Sequence, residues 1–344
     1  MLNRLFDLTF LLFSSCLLAA SITYAEDKTS PPAPQPNLER AAPLERSQEA
    51  AQALERTLPS DERQTLNAGS ESFLALWRLA NTPQPQGTIV LIPGDGESAD
   101  WPRALGPLRR KLPDAGWNTL SLTLPDPQNT APQPRTSGSS SVSSADADAN
   151  TSTGNTSTTV EGVAGTAPTA ETQAEVGSSE PAQAGTALPD PQIIKDAYAE
   201  RVMARIASGI DLALQRGAQQ VILLGHGSGA YWAARYLAER EPSELHYLLM
   251  VDGTVPIGFA PPLEAIAPKL NLTIGDFFHD QTARVRSAAE RRRQAAVREN
   301  TSRYTQISLK IIPGDPKSEQ EQLYRRLRGW LNSHVKAATP EETP

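Results

Sequence analysis

Short apolar runs alternate with longer amphipathic stretches through most of the chain. Gly87–Pro93 and Gln220–Leu224 are continuous apolar runs, which is typical of strands buried on both faces. Lys195–Gln215 has helical periodicity instead. The apolar face of this predicted helix comprises Ala199, Val202, Ile206, Ile210 and Leu214. The alternation predicts strands that alternate with helices.

The remaining elements follow the same alternation. Further strands are predicted over Arg63–Asn67, Ser72–Ala80, Asn118–Leu124, Leu245–Val251, Asn271–Phe277 and Tyr304–Ile312. Further helices are predicted over Trp101–Ala115, Tyr231–Glu239, Thr282–Asn300 and Glu319–His334. An antiparallel pair followed by repeated strand and helix predicts an α/β fold, with a mostly parallel sheet covered by helices on both faces.

The first residues have the pattern of an export signal. Arg4 gives a weakly basic start, Leu8–Ala20 is largely apolar, and small residues lead to Ala25. The apolar run is shorter than the roughly 20 residues of a membrane-spanning helix. We therefore predict a cleavable signal peptide over residues 1–25, a periplasmic location, and no transmembrane span after cleavage.

Composition divides the rest of the chain. Residues 26–50 read as a polar, Pro-rich spacer and residues 336–344 as a disordered tail. Residues 126–191 are mostly Ser, Thr, Ala, Gly and Pro, and such a segment buries too little apolar surface to offset its ordering entropy. This predicts a single domain, 51–125 joined to 192–335, interrupted by a disordered insert.

Charge and cysteine content exclude several classes of function. The net charge of -7 is not that of a nucleic-acid-binding protein. The only cysteine, Cys16, lies in the predicted signal, so no disulfide is expected in the mature chain. No spacing typical of a metal site is present, and no cofactor is expected.

Three stretches resemble the α/β-hydrolase superfamily. They are GTIVLIPGDG with the helix and strand after it, VILLGHGSGAYWAARYLAER, and the closing ISLKIIPGDP with its helix. The combination of ADWP, AGW and GHGSGA is similar to a gammaproteobacterial family of hydrolase-like envelope proteins of unknown function. The resemblance implies an oxyanion loop at Gly94 and a nucleophile elbow within Gly225–Ala230.

The elbow has a glycine where this fold carries its nucleophile. The motif is a small residue, any residue, the nucleophile, any residue and a small residue. Aligned on Gly225 and Gly229, the central position is Gly227, and the only nearby hydroxyl is that of Ser228, one residue later. Glycine has no nucleophilic atom, so the ordinary serine chemistry is expected to be absent.

The candidate bases and acids are few. The loop after the last strand, where the fold carries its histidine base, contains no histidine. His226 lies in the elbow, and His279 follows a predicted strand next to Asp280. Asp252 follows the preceding strand, which is the alternate location for a triad acid. If the protein is a hydrolase, Ser228, His226, His279, Asp252 and Asp280 are the candidate catalytic residues, although turn formation or capping is the commoner role of such aspartates.

A nucleotide site is the third interpretation. Gly225, Gly227 and Ala230 fit G-x-G-x-x-A between a strand and a helix, and Asp252 ends the next strand, as a ribose-binding acid would. The late position of this motif in the chain argues against it.

The sequence leaves the partner open between a small-molecule ligand and an envelope protein. An arginine-rich helix around residues 284–298 offers a peripheral contact with anionic lipid, although a solvated helix face is the commoner explanation. Three hypotheses remain: a binding protein without the triad, an atypical hydrolase that uses Ser228, and a dinucleotide-binding protein.

Overall fold

Eight strands form one sheet in the order β1-β2-β4-β3-β5-β6-β7-β8. A computed structural model describes residues 44–127 and 190–335. The strands are β1 Arg63–Ala68, β2 Glu71–Arg78, β3 Gly87–Ile92, β4 Trp117–Leu122, β5 Val221–His226, β6 Leu245–Val251, β7 Thr273–His279 and β8 Tyr304–Leu309. Strand β2 runs antiparallel to β1 and β4, and all other pairs are parallel. The predicted α/β fold is confirmed.

Helices cover both faces of the sheet. They are α1 Arg46–Thr57, α2 Leu105–Lys111, α3 Pro191–Gln215, α4 Ser228–Arg240, α5 Leu263–Ile266, α6 Ala283–Arg298 and α7 Pro316–His334. One core layer joins the sheet to α3, α4 and α5, and the other joins it to α2 and α7. Strands β3 and β4 are buried along their whole length, as the apolar run of β3 predicts for that strand.

The start of the folded domain and the start of α2 both differ from the sequence-based expectation. Helix α1 begins at Arg46, before the expected start of the domain, and the amide of Ser47 donates to Asp126 Oδ2 over 2.7 Å. Helix α2 begins at Leu105 rather than Trp101, because Pro107 lacks an amide proton and fits only the first turn of a helix.

Two residue placements were wrong. Leu214 is exposed, and the neighbouring Ala213 takes its place in the core against the sheet. His246 opens a predicted strand, which favours partial burial, but the structure exposes it one residue after the start of β6. Both residues lie near an end of their element, where the pattern of apolar residues predicts burial less well because the ends of helices and strands are partly exposed.

The predicted signal peptide and tail, and most of the predicted spacer and insert, lie outside the described residues. Among the helices of residues 44–127 and 190–335, none is long and apolar enough to cross a membrane.

Candidate functional site

The carboxyl ends of β3, β5, β6 and β7 converge at one edge of the sheet, and the loops that follow them carry most of the candidate residues. Parallel α/β sheets bind ligands at this edge because the helices and loops that follow the strands leave a crevice there. Of the predicted site residues, Gly94, Gly225, His226, Gly227, Ser228, Gly229, Asp252 and His279 all lie here.

The turn from β5 to α4 has the tight geometry of a nucleophile elbow, with Gly227 at its apex. Gly227 has φ 55° and ψ -125°, a backbone conformation that residues other than glycine adopt only with strain. Its amide donates to Val251 O (2.9 Å), and its carbonyl accepts from Thr254 N (3.0 Å). The turn is thus anchored to the end of β6 and the loop that follows.

The glycines on either side of the apex have a different role. A Cβ atom on Gly225 would overlap the backbone of Ala230, and one on Gly229 would overlap the carbonyl of Ile92. Gly227 is not crowded in this way, because the nearest atom to an added Cβ would be Gly94 Cα at 3.8 Å. The apex therefore has room for a side chain, whereas the flanking positions have none.

The side chain of Ser228 is hydrogen-bonded to the loop after β3. Its Oγ accepts from the amide of Asp95 over 2.6 Å. Tyr198 OH donates to the Asp95 carboxylate over 3.2 Å. Ser228 is 6% exposed, and within the described part of the chain neither histidine of the site hydrogen-bonds it.

Glu97 links the same loop to the elbow histidine. Its Oε2 accepts from Gly94 N (2.8 Å), and its two oxygens lie 2.7 and 2.8 Å from His226 Nδ1. The other ring nitrogen of His226, Nε2, is 3.9 Å from Asp252 Oδ2. His226 therefore lies between two carboxylates.

Asp252 and His279 form the second histidine–carboxylate pair. Asp252 Oδ2 lies 2.6 Å from His279 Nδ1, and Oδ1 accepts from the His279 amide over 2.8 Å. The pairing follows from the sheet, because β6 and β7 are neighbours with Val251 opposite Phe277. With Nδ1 donating to Asp252, the neutral ring carries its lone pair on Nε2.

The pairing shifts the pKa values of both Asp252 and His279. Burial alone raises the pKa of Asp252, but the hydrogen bonds from His279 outweigh it and hold the pKa below its ordinary value. Burial alone lowers the pKa of His279, but the hydrogen bond and charge of Asp252 outweigh it, and Glu319 adds to them. The pKa of His279 is therefore raised, which favours the ion pair.

Two cavities lie along this edge. One of about 300 Å³ lies over the elbow and is lined by Gly94, Asp95, Gly227, Ser228 and the loop residues Thr254–Ile257. The other, of about 460 Å³, is lined by Glu97, His226, Asp252 and His279 and by side chains of α6 and α7. A larger cavity of about 630 Å³ lies elsewhere, at the amino end of β6, away from these paired groups.

Asp280, the remaining catalytic candidate, and His334 both lie apart from the cavities over the elbow and beside Asp252. Asp280 pairs with Arg286 on the surface over 2.8 Å. His334 Nδ1 lies 2.9 Å from Trp330 O, and its ring stacks on that indole. Most of the arginines on the α6 surface are also paired: Arg286 with Asp280, Arg291 with Glu264 and Arg293 with Glu290.

Glu97, Asp95 and Tyr198 were not identified from the sequence. Asp95 and Glu97 follow β3 in the loop that the resemblance already marked at Gly94, so their position at the strand end was the available signal. Tyr198 gave no signal, since its residue type and spacing are those of a core helix. In residues 44–127 and 190–335, no three His, Cys, Asp or Glu side chains are arranged to hold a metal ion.

Comparison with known proteins gives a family and a fold. The profile of DUF3530, described as a protein of unknown function, matches residues 5–333. No curated protein matches the chain at a significant level.

Solved structures of α/β hydrolases are similar to the chain at low identity. A candidate dienelactone hydrolase from Klebsiella pneumoniae is 12% identical, with a TM-score of 0.49, over 79% of this chain and 98% of that one. Est1E from Butyrivibrio proteoclasticus is 9% identical, with a TM-score of 0.49, over 80% and 99%. A dienelactone hydrolase from Anabaena variabilis is 12% identical, with a TM-score of 0.48, over 80% and 100%. The strand order and the elbow carry the assignment to the α/β-hydrolase fold.

Proposed function

The chain belongs to the DUF3530 family, and we propose that it is an exported α/β-hydrolase-like protein that lacks serine-hydrolase chemistry and acts by binding a ligand. The observation that carries the proposal is Gly227 at the apex of an otherwise complete elbow. A covalent acyl intermediate needs an oxygen or sulfur at that apex, aimed at the substrate. Glycine supplies neither.

The amides of the loop after β3 support the same conclusion. In this fold, one amide from that loop and one from the residue after the nucleophile stabilise the oxyanion. Here Gly94 N donates to Glu97 and Asp95 N donates to Ser228. Oxyanion stabilisation depends on donors that are free and already aimed at the developing charge. Donors held by side chains are poorly suited to that task.

A hydrolase that uses Ser228 is the weaker alternative. Ser228 Oγ accepts from the amide of Asp95, and an amide cannot take up the hydroxyl proton. The two histidines are paired with Glu97 and Asp252 instead. The base and the hydroxyl are therefore in separate hydrogen-bond groups.

Dinucleotide binding is weaker still. A ribose-binding acid needs free carboxylate oxygens, and both oxygens of Asp252 already accept from His279. This alternative predicts that millimolar NAD or NADP raises the melting temperature of the protein. We expect no change.

Ester turnover tests the main proposal. The full chain and its Ser228→Ala variant are assayed side by side with p-nitrophenyl esters of short and long acids and with a fluorophosphonate probe. We expect no turnover above the buffer rate and no labelling for either protein. Turnover that Ser228→Ala abolishes would refute the proposal in favour of the atypical hydrolase.

A third variant tests the alignment of the elbow. Gly227→Ser adds a hydroxyl at the apex, where the nearest atom leaves room for it. Labelling of this variant by the fluorophosphonate, mapped to the substituted position by peptide sequencing, would show that the apex lacks only its nucleophile. Failure to label, in a variant that keeps its fold by circular dichroism, would point to the occupied amides as a second defect.

Export is part of the proposal and has its own test. The basic start, short apolar run and small residues before Ala25 are typical of a signal peptide. We expect the chain recovered from the periplasm of a Gram-negative host to begin at Glu26 by amino-terminal sequencing. An intact Met1 in a membrane fraction would contradict this and indicate an anchor.

A further inference from the structure

The cavity beside the Asp252–His279 pair has the size and the mixed wall of a small-molecule site. Its volume of about 460 Å³ lies within the roughly 300–1,000 Å³ range of ligand pockets. Trp101, Phe278 and Leu323 give it apolar surface, and polar groups from the strand ends line the rest. A ligand that fills it would need both an apolar and a polar part.

Most of the charged groups in its wall already have partners. The Glu97 carboxylate is paired with His226, and that of Asp252 is paired with His279. Arg292 is held by the buried Asp276 over 2.9 Å. Glu319 Oε1 accepts from Ile312 N over 2.8 Å.

Two cations remain. Arg103 and Arg284 line the cavity, both are exposed, and neither has a hydrogen-bond or ion-pair partner within residues 44–127 and 190–335. The wall thus presents two unused guanidinium groups, whereas its carboxylates are already occupied. Planar guanidinium groups match carboxylate and phosphate oxygens in geometry and charge.

His279 adds a third contact at the base of the cavity. Its Nδ1 is taken by Asp252, and its Nε2 has no hydrogen-bond partner among the described residues. The pKa of His279 is raised, so the ring is protonated over a wider pH range and Nε2 can then donate.

We propose that this cavity binds a small organic anion, whose carboxylate or phosphate group is held by Arg103, Arg284 and His279 and whose apolar chain lies against Trp101 and Phe278. The inference rests on the proposed binding function and names the chemical class of its ligand. It involves neither the elbow nor Ser228.

Calorimetric titration tests the proposal on the full chain. The probes are octanoate, octyl phosphate and the neutral octanol, with inorganic phosphate as an anion without a chain. We expect one of the two amphiphilic anions to bind at millimolar concentration or below, and octanol and inorganic phosphate to bind at least about tenfold more weakly. The first two probes distinguish a carboxylate ligand from a phosphate ester.

Matched variants locate the anion. Arg284→Gln and Arg103→Gln should each weaken binding of the anion about tenfold or more. Arg298→Gln removes the same charge from the same helix as Arg284, but Arg298 does not line the cavity, so affinity should not change. All three residues are exposed, and the melting temperature checks that each variant is folded.

Affinity should also depend on pH. Protonated His279 donates to the anion, so affinity should fall as the pH rises through the pKa of His279, and His279→Gln should flatten that dependence. The charged or titratable groups that line the cavity with His279 are Glu97, Arg103, His226, Asp252, Arg284, Arg292 and Glu319. Because His226 is a second imidazole in the same wall, His279→Gln is the deciding variant.

Octanol that binds as tightly as the tighter of the two anions, no binding of either anion, or equal weakening by Arg298→Gln and Arg284→Gln would each overturn the inference. Its failure is distinct from failure of the proposed function. Ester turnover lost in Ser228→Ala would refute the binding-only role while leaving anion selectivity measurable with the same probes.

Discussion

The elbow and the β6–β7 edge, the loops that follow these two strands, are neighbouring parts of the candidate site. They differ in which features of a hydrolase site they contain. At the elbow, the backbone has the strained turn of a nucleophile elbow, with glycine at its apex and Ser228 bonded to Asp95. At the β6–β7 edge, the reactive side chains are present: Asp252 and His279 form an oriented pair beside a cavity. The elbow thus has the turn geometry without a hydroxyl or thiol at its apex, and the β6–β7 edge has a histidine–carboxylate pair that does not hydrogen-bond Ser228.

This difference shows that backbone and chemistry are separable in this fold. The turn at Gly227 is maintained by packing, since Gly225 and Gly229 approach the neighbouring backbone closely whatever residue occupies the apex. The histidine–carboxylate pair is maintained by strand adjacency and by its own electrostatics. Each region is thus held by its own contacts, and a cavity with ionisable walls lies beside the Asp252–His279 pair.

The largest effect is expected from the packing glycines of the elbow. Gly225→Ala and Gly229→Ala force a Cβ into backbone atoms that cannot move without shifting β3 or α4, so each should cost more than about 4 kcal/mol of unfolding free energy. Gly227→Ala meets no such contact and should cost about 1–3 kcal/mol through backbone strain alone. Denaturant unfolding measures all three.

A matched control separates strain from overlap at the elbow. Gly217 also has a positive φ, 77°, and an added Cβ there has no neighbour within 4 Å. Gly217→Ala should therefore cost about 1–2 kcal/mol. If Gly227→Ala proves as damaging as Gly225→Ala, the view that the apex has room for a side chain is wrong.

The β6–β7 edge has its own structural support, and removing it should have the second largest effect. Asp276 in β7 is fully buried and accepts from Arg292, Tyr304 OH (2.5 Å) and Gln306 (2.9 Å). Asp276→Ala leaves the Arg292 guanidinium buried without its partner, which should cost about 3–5 kcal/mol. Thermal and denaturant unfolding measure the loss.

The exposed pair on the α6 helix that carries Arg292 is the control for this loss. Glu290 and Arg293 are close to half exposed, so Glu290→Gln should destabilise the protein far less than Asp276→Ala. Equal losses for Asp276→Ala and Glu290→Gln would mean that burial does not decide the strength of these pairs.

A smaller effect is expected on the titration of the Asp252–His279 pair itself. Asp252→Asn removes the charge of Asp252, the main cause of the raised pKa of His279, and leaves burial and the smaller contribution of Glu319, so the pKa should fall, as measured by NMR titration of the ring. In the native chain, the stability contributed by protonated His279 is fully present below its ordinary pKa of about 6.5 and is lost as the pH rises through the raised value. The Asp252→Asn variant should not show this decrease in stability as the pH rises.

The neighbouring carboxylate provides the comparison for that titration. Asp280 is adjacent in sequence but pairs with Arg286 on the surface. Asp280→Asn should leave the pKa of His279 close to its native value. A pKa of His279 that stays raised in Asp252→Asn would break the interpretation of the two residues as a coupled pair.

The sequence predicted the sheet and the location of the site because both depend on local patterns. The apolar runs at β3 and β5 and the glycines around Gly227 are readable without tertiary information. The β6–β7 edge could be predicted only in part. Asp252 and His279 were each identified at a strand end, but their pairing depends on β6 and β7 being neighbours, which no local pattern contains.

The contacts of the loop after β3 were not predictable for a different reason. Glu97 reaches both Gly94 N and His226 only because the loop folds back on itself, and Asp95 meets Ser228 across 133 positions of sequence. Helix α1 was missed because its burial comes from contacts with β2, through Leu54 and Leu58, rather than from its own composition.

The smallest effect should come from Ser228→Ala, which tests the elbow on its own. The change removes the hydroxyl that bonds Asp95, and the loop amide is near enough to the surface for water to replace it, so the cost should be about 1 kcal/mol. Ser333→Ala, whose hydroxyl bonds only the Gly329 carbonyl within the exposed face of α7, controls for loss of a hydroxyl near a helix and should cost less. Denaturant unfolding gives both values. A loss above about 3 kcal/mol for Ser228→Ala would make this hydroxyl essential to the elbow, and the asymmetry between the two regions would then lie in the loop after β3 rather than at Gly227.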